Sequence, residues 1–262
     1  MRRDENLPIL KNPAKECQRI TKFVENNVKK TGGATAVVGI SGGIDSAVVN
    51  KIIEKTKGIK GIAVFMPEDS TPEKDVEDVN LIFEKNENKL ITIEIDGTVS
   101  EIKKSLPELD KLSLANVKAR ARMTYLYGMA NITNGMVVGT GNLTEWLLGY
   151  FTKFGDGAAD ISPIRHLFKT EVKDLAKWLN IPKSVIDKPP SAGLWENQTD
   201  EEELGGTYKE IDRIIYSHRT LLKTGKDLKE KWPSQEDLID SVLNRIEANR
   251  HKRKSSPALS RK

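Results

Sequence analysis

An apolar run rich in β-branched residues, Ala34 to Ile40, leads straight into Ser41-Gly42-Gly43-Ile44-Asp45-Ser46, and a helical pattern from Ala47 to Lys57 follows. A strand that turns so tightly into a helix is the first half of a βα unit. A helix N-terminus presents unpaired backbone N–H groups and the positive end of the helix dipole. Glycines there let a phosphate approach the backbone, so the turn is expected to hold a polyphosphate. It is not the G-x-x-x-x-G-K-[ST] loop, because no lysine occurs between Gly39 and Ser46. Nor is it the G-x-G-x-x-G dinucleotide turn. An acidic side chain beside phosphates repels them unless a metal lies between. Asp45 therefore reads as a Mg²⁺ ligand, since Mg²⁺ favours carboxylate plus phosphate oxygens.

The rest of the first half repeats the βα pattern. Pro13 to Lys30 reads as an amphipathic helix, with Ile20, Phe23, Val24 and Val28 on one face. Strands are expected at Thr35 to Ile40, Gly61 to Met66, Lys89 to Ile95 and Met136 to Gly139. Helices are expected from Thr71 to about Lys85, from Leu114 to Ile132 and after Asn142. This alternation predicts an α/β fold: a doubly wound, mostly parallel, Rossmann-like sheet with helices on both faces. Ligands of such sheets bind beyond the carboxyl ends of the strands, so Ser41 and Thr140 should line one crevice. Further on, Phe151 to Ile164 and Lys188 to Glu203 read as loops, with lid-like glycines and prolines. Lys169 to Leu179, Thr207 to Leu222 and Gln235 to Asn249 read as helices, and the tail is basic.

Composition narrows the function class. Of 262 residues, 37% are hydrophobic and 31% charged, a globular profile, and no apolar run is long enough to span a bilayer. The charged start, Met1 to Glu5, lacks the apolar core of a signal peptide. Cys17 is the single cysteine, which excludes an internal disulfide and fits a cytoplasmic location. A net charge of +4 is small for a nucleic-acid binder.

Five blocks carry a family resemblance: Asn116 to Met123, Gly139 to Glu145, Phe151 to Asp160 (F-T-K-F-G-D-G-A-A-D), Lys188 to Leu194, and His251 to Arg253. S-G-G-x-D-S alone resembles the signature of the N-type ATP pyrophosphatases. With these blocks the chain resembles the ammonia-dependent NAD synthetases, from about Thr35 to Arg253, within the adenine-nucleotide α-hydrolase-like fold. The resemblance implies a single domain over 1–262, with an N-terminal helix 13–30, a basic tail 251–262 and no glutaminase domain. It implies conversion of deamido-NAD, ATP and ammonia to NAD, AMP and pyrophosphate. In that reading Gly39, Ile40, Ser41, Gly42, Gly43, Ile44, Asp45, Ser46, Thr140, Lys169 and Ser191 bind ATP. Asp45 and Glu145 hold Mg²⁺. Arg120, Lys153, Asp160, His251 and Lys252 contact deamido-NAD. Asp45, Ser46 and Lys169 carry the catalytic role. Relatives also imply a homodimer, with Tyr125, Tyr127 and Met129 in the contact helix, and ammonia taken free or from a separate glutaminase.

Cys17 lies inside an amphipathic helix and reads as a packed thiol, not a nucleophile. Two other readings stay open from the residues alone. One is a tRNA-modifying enzyme of the same loop class, served by the basic tail. The other is a non-catalytic nucleotide binder of the same fold.

Overall fold

The protein is described here from a computed structural model covering residues 7–84, 86–191 and 199–259. In chain order the first half comprises α1 (Pro13–Lys30), β1 (Thr35–Ile40), α2 (Ile44–Glu54), β2 (Lys60–Phe65), α3 (Glu73–Phe83), β3 (Lys89–Thr92), α4 (Asp96–Ser105), α5 (Lys111–Ile132) and β4 (Gly135–Val137). The second half is helical: α6 (Leu143–Leu148), α7 (Lys169–Trp178), α8 (Lys183–Asp187), α9 (Asp200–Leu204), α10 (Tyr208–Arg219), α11 (Gly225–Lys231) and α12 (Glu236–Ala248), with short 3₁₀ turns at Pro233–Gln235 and Asn249–Arg253.

The strands form one parallel sheet in the order β3-β2-β1-β4. Thr35 of β1 stands opposite Lys60 on one side and Gly135 on the other. A central parallel strand is covered on both faces and so reads as a continuous apolar run; all of β1 except Gly39 is buried. Ala36, Val38 and Ile40 pack with α1, α2 and α7 in one core, while Val37 joins Ile62, Val64 and the inner faces of α4 and α5 in another. The chain leaves β1 toward β2 on one side and later returns to β4 on the other. That reversal opens a crevice beyond the carboxyl ends of β1 and β4.

A third core joins Leu147 and Leu148 of α6 to Ile211, Ile214 and Ile215 of α10, and to Ile239 and Val242 of α12. It braces the crevice from one side. Among the described residues no helix is long and apolar enough to cross a membrane.

Several boundaries differ from expectation. Helix α2 starts at Ile44, not Ala47. Gly43 is extended at the cap position, so the turn is one step tighter and Asp45 and Ser46 fall in the first helical turn. Strands β3 and β4 stop at Thr92 and Val137. Helix α4 was not anticipated, because Gly97 and the short Asp96–Ser105 span weaken its periodicity. Helix α9 starts within the expected loop Lys188 to Glu203, and α8 and α11 lie in segments for which no element was expected.

Candidate active site

The turn after β1 is closed by its own polar atoms. Ser46 Oγ donates to the Gly43 carbonyl at 2.9 Å, and the Ser41 N–H donates to Ser46 Oγ at 3.3 Å. No side chain caps α2, which leaves its first-turn N–H groups to whatever enters the crevice. Gly42 is required: its φ is +75°, and a Cβ there would stand 2.8 Å from the Asp75 carbonyl oxygen of α3.

Asp45 and Glu145 come from opposite sides of the crevice and converge on one ammonium. Lys169, the first residue of α7, bonds Asp45 Oδ2 and stands 3.1 Å from Glu145 Oε1. Lys169 is only 3% exposed. Burial presses its ammonium toward the neutral form, but Asp45 and Glu145 outweigh burial and its pKa rises. Burial pushes the Glu145 carboxyl well above the usual carboxylate range, with Asp45 and Asp200 adding to the push against Lys169. Two carboxylates whose oxygens meet at one point suit a hard divalent cation that completes its shell with phosphate oxygens and water. Among the described residues no three acidic, histidine or cysteine side chains gather as a self-sufficient metal site, so a metal here would share its coordination with a ligand.

Asn142 links these parts. It is fully buried and caps α6 in a reciprocal box with Glu145. Its Nδ2 also donates to Asp45 Oδ1 at 3.0 Å. The Asn-x-x-Glu spacing is a capping-box signature legible in sequence; the reach to Asp45, 97 positions away, is not.

Asp212 of α10 lies beneath the same group and was not singled out from the sequence. It is fully buried, accepts from Thr144 Oγ1 at 2.5 Å and from the Thr170 N–H at 2.8 Å. Thr144 in turn accepts from the Lys169 N–H at 3.0 Å. One carboxylate thereby ties the start of α7 to α6. Burial raises Asp212 to about 6 against those hydrogen bonds. Tyr208 and Ile215 share its helical face and are buried, so an acid inside an apolar stripe was the available signal.

The other expected residues fall in two groups. Thr140 follows β4 and lines the crevice floor with Glu145. Ser191 is exposed and lies at the last described position before 192–198; the middle of the expected loop 188–203 and the tail beyond 259 fall outside the described residues. Lys188 bonds Asp75 and stands 2.8 Å from the buried Asp78, tying the segment before Ser191 to α3.

Arg120 on α5 donates to the Lys153 carbonyl at 3.3 Å, and Lys153 Nζ donates to the His251 carbonyl at 3.3 Å. These residues, 131 positions apart from Arg120 to His251, thus form one exposed ladder. Asp160 accepts the Val137 N–H at 2.7 Å, so one of its oxygens finishes the edge of β4. Lys252 donates to the carbonyls of Gly149 and Phe151 at 2.7 and 2.9 Å. Its ammonium closes the end of α6, a contact made only by tertiary packing across 103 and 101 positions.

Tyr125, Tyr127 and Met129 are half-buried against the sheet-side core, and the Tyr125 hydroxyl shares a 2.6 Å hydrogen bond with Thr98.

A family model described as NAD synthase matches residues 16–256. The NH(3)-dependent NAD(+) synthetase of Methanosarcina acetivorans is 47% identical over 244 residues, covering 91% of this chain and 95% of its own. Two solved structures are similar throughout. The NMN synthetase of Francisella tularensis has a TM-score of 0.83 and 36% identity, covering 95% of this chain and 98% of its own. The NH3-dependent NAD synthetase of Campylobacter jejuni, in complex with nitrate, has a TM-score of 0.81 and 28% identity, covering 95% and 100%.

Proposed function

The chain belongs to the NAD synthase family, and from that premise we propose that it is a ligase that amidates the nicotinate carboxylate of deamido-NAD with ammonia. ATP is the co-substrate and leaves as AMP and pyrophosphate. A carboxylate is a poor electrophile, because its charge repels nucleophiles and oxide does not leave. Its oxygen therefore attacks the α-phosphorus of ATP, and the bond from that phosphorus to pyrophosphate breaks. Ammonia then attacks the carboxyl carbon of the mixed anhydride. The bond to AMP breaks, AMP departs with the former carboxylate oxygen, and a proton is lost from nitrogen.

The observation that carries this reading is the meeting of Asp45, Glu145 and Lys169 at the mouth of the Ser41–Ser46 turn. The uncapped N–H groups of α2, with Ser41 and Ser46, would cradle the β- and γ-phosphates. Asp45 and Glu145 would hold Mg²⁺, which when bound neutralises charge on the phosphate oxygens. Lys169 holds the two carboxylates in register and keeps a proton-bearing cation beside the phosphates. Thr140 and Ser191 are the proposed remaining ATP contacts. Arg120, Lys153, Asp160, His251 and Lys252 are proposed to flank the dinucleotide. Lys252 does so through the carbonyls of Gly149 and Phe151 that it holds.

Ammonia is the proposed nitrogen donor. The curated relatives bear that name, and Cys17 is 5% exposed with its thiol pKa raised by burial, unsuited to glutamine hydrolysis. A homodimer is proposed through α5, whose Leu112 and Ile132 are 62% and 82% exposed. Sedimentation at micromolar concentration should give twice the chain mass; a monomer at all concentrations rejects the dimer.

A second reading concerns the acid alone. Similarity to an NMN synthetase favours nicotinate mononucleotide as a competing substrate. The test supplies Mg-ATP, ammonium and either acid, and quantifies products. Equimolar NAD, AMP and pyrophosphate from the dinucleotide are expected, with glutamine unable to replace ammonium. ADP and phosphate as products reject the activity; a higher kcat/KM for the mononucleotide selects the second reading.

A further inference from the structure

Thr140, Glu145, Trp146, Phe151, Asp156 and Arg165 line a small cavity at the crevice floor, about 70 Å³ in volume. Sites for whole drug-sized ligands run to ~300–1,000 Å³, so this is space for one charged group. Its two acids are already held. Glu145 is bonded to Lys169, and Asp156 accepts the Thr152 N–H at 2.8 Å. Arg165 is the one cation in the lining, and it is held by no acid. Its guanidinium lies 4.0 Å from the centre of the Trp146 ring, and among the described residues it makes no ion pair or hydrogen bond. It is half-buried, and burial shifts its pKa downward with no carboxylate to oppose the shift.

A desolvated guanidinium without an anion is costly. It is also unusually fixed. Trp146 stacks on Phe151 at 5.1 Å and 9°, and Lys252 lies 5.5 Å from the far ring. The guanidinium is therefore the end of a four-member column. The face of the group is satisfied by the indole, and its five N–H donors are left uncommitted.

We propose that Arg165 binds the carboxylate of the pyridine ring, the group that becomes adenylated, and so selects the acid substrate over the amide product. This assignment rests on the amidation activity proposed above. Every other lining charge is acidic, so a carboxylate entering this cavity needs a cation, and a planar fork matches it bidentately. Once the carboxylate has become an amide the partner charge is gone, and the product is released.

The test compares binding of deamido-NAD and NAD by calorimetry in wild type, R165M and R165K. Methionine keeps the packing on Trp146 and removes the charge; lysine keeps the charge and removes the fork. R165M should weaken deamido-NAD by about tenfold or more while NAD changes less than about twofold. R165K should fall between. In turnover, the KM for deamido-NAD should rise and that for ATP should not. Equal weakening of acid and amide, no weakening of either, or a rise confined to the KM for ATP overturns the assignment. Wild type that makes NAD normally alongside an indistinguishable R165M removes Arg165 alone. Wild type that makes no NAD removes the activity with it.

Discussion

Single residues decide whether the crevice handles phosphates. Asp45 touches Lys169 through one oxygen and Asn142 through the other, so its charge is used twice. Asp45→Asn keeps the shape and removes the charge. Activity should fall about a hundredfold or more with the melting temperature nearly unchanged; near-normal turnover would remove Asp45 from the proposed metal and phosphate site. Gly42 sets a different limit. A side chain at its φ of +75° is strained and would press on the Asp75 carbonyl. Gly42→Ala should cost about 1–2 kcal/mol, read as a drop of a few degrees in melting temperature, together with a raised KM for ATP. Both residues were legible in the sequence, because the signals sit within one turn: glycine for conformation, serine for hydroxyls, aspartate where a lysine would otherwise be. Arg165 was not. A lone arginine carries no local signature, and its proposed role rests on its contact with Trp146, 19 positions away.

At the scale of elements, α6 and α7 work as one piece. Helix α6 buries Leu147 and Leu148 in the helical core and turns Glu145 toward the crevice. The start of α7 is fastened to it through Thr144 and Asp212. Holding Asp212 ionised in a fully buried place is costly. Its folded pKa of about 6 lies above the ordinary carboxylate value, so the folded state binds the extra proton. The stabilisation this gives is complete below about pH 4 and is lost as pH rises through about 6, to the extent of about 3 kcal/mol. Asp212→Asn has no such proton to lose. The melting temperature of the variant relative to wild type should therefore climb from pH 4 to about 6.5 and then level off. A difference independent of pH would show that Asp212 is not titrating there. The helical periods of α1, α5, α7, α10 and α12 were readable from apolar spacing. Helix α4 and the short helices were not, since fewer than three turns leave little periodicity to detect and packing decides them.

For the whole molecule, the order β3-β2-β1-β4 sets the chemistry. It places the turn after β1 beside the segment after β4, and the start of α7, tied to α6 and α10 through Thr144 and Asp212, holds Lys169 between them. The doubly wound sheet followed from alternation of strands and helices, and a crevice lined by the ends of β1 and β4 followed from the rules of such sheets; the pairing of β1 with β4 is seen only in the fold. The lower half of the site did not follow. Asp212, Asn142 and the tail residues Lys252 and Arg253 meet their partners only through tertiary packing, with Arg253 donating to the Leu147 and Ile246 carbonyls. The reaction turns on attack of a carboxylate oxygen on the α-phosphorus. Deamido-NAD labelled with ¹⁸O in its nicotinate carboxylate tests this directly in a single turnover with Mg-ATP and ammonium. The label is expected in the phosphoryl group of AMP, one atom for each NAD formed, and absent from pyrophosphate. AMP free of label, or label in pyrophosphate, would rule out attack by the carboxylate on the α-phosphorus.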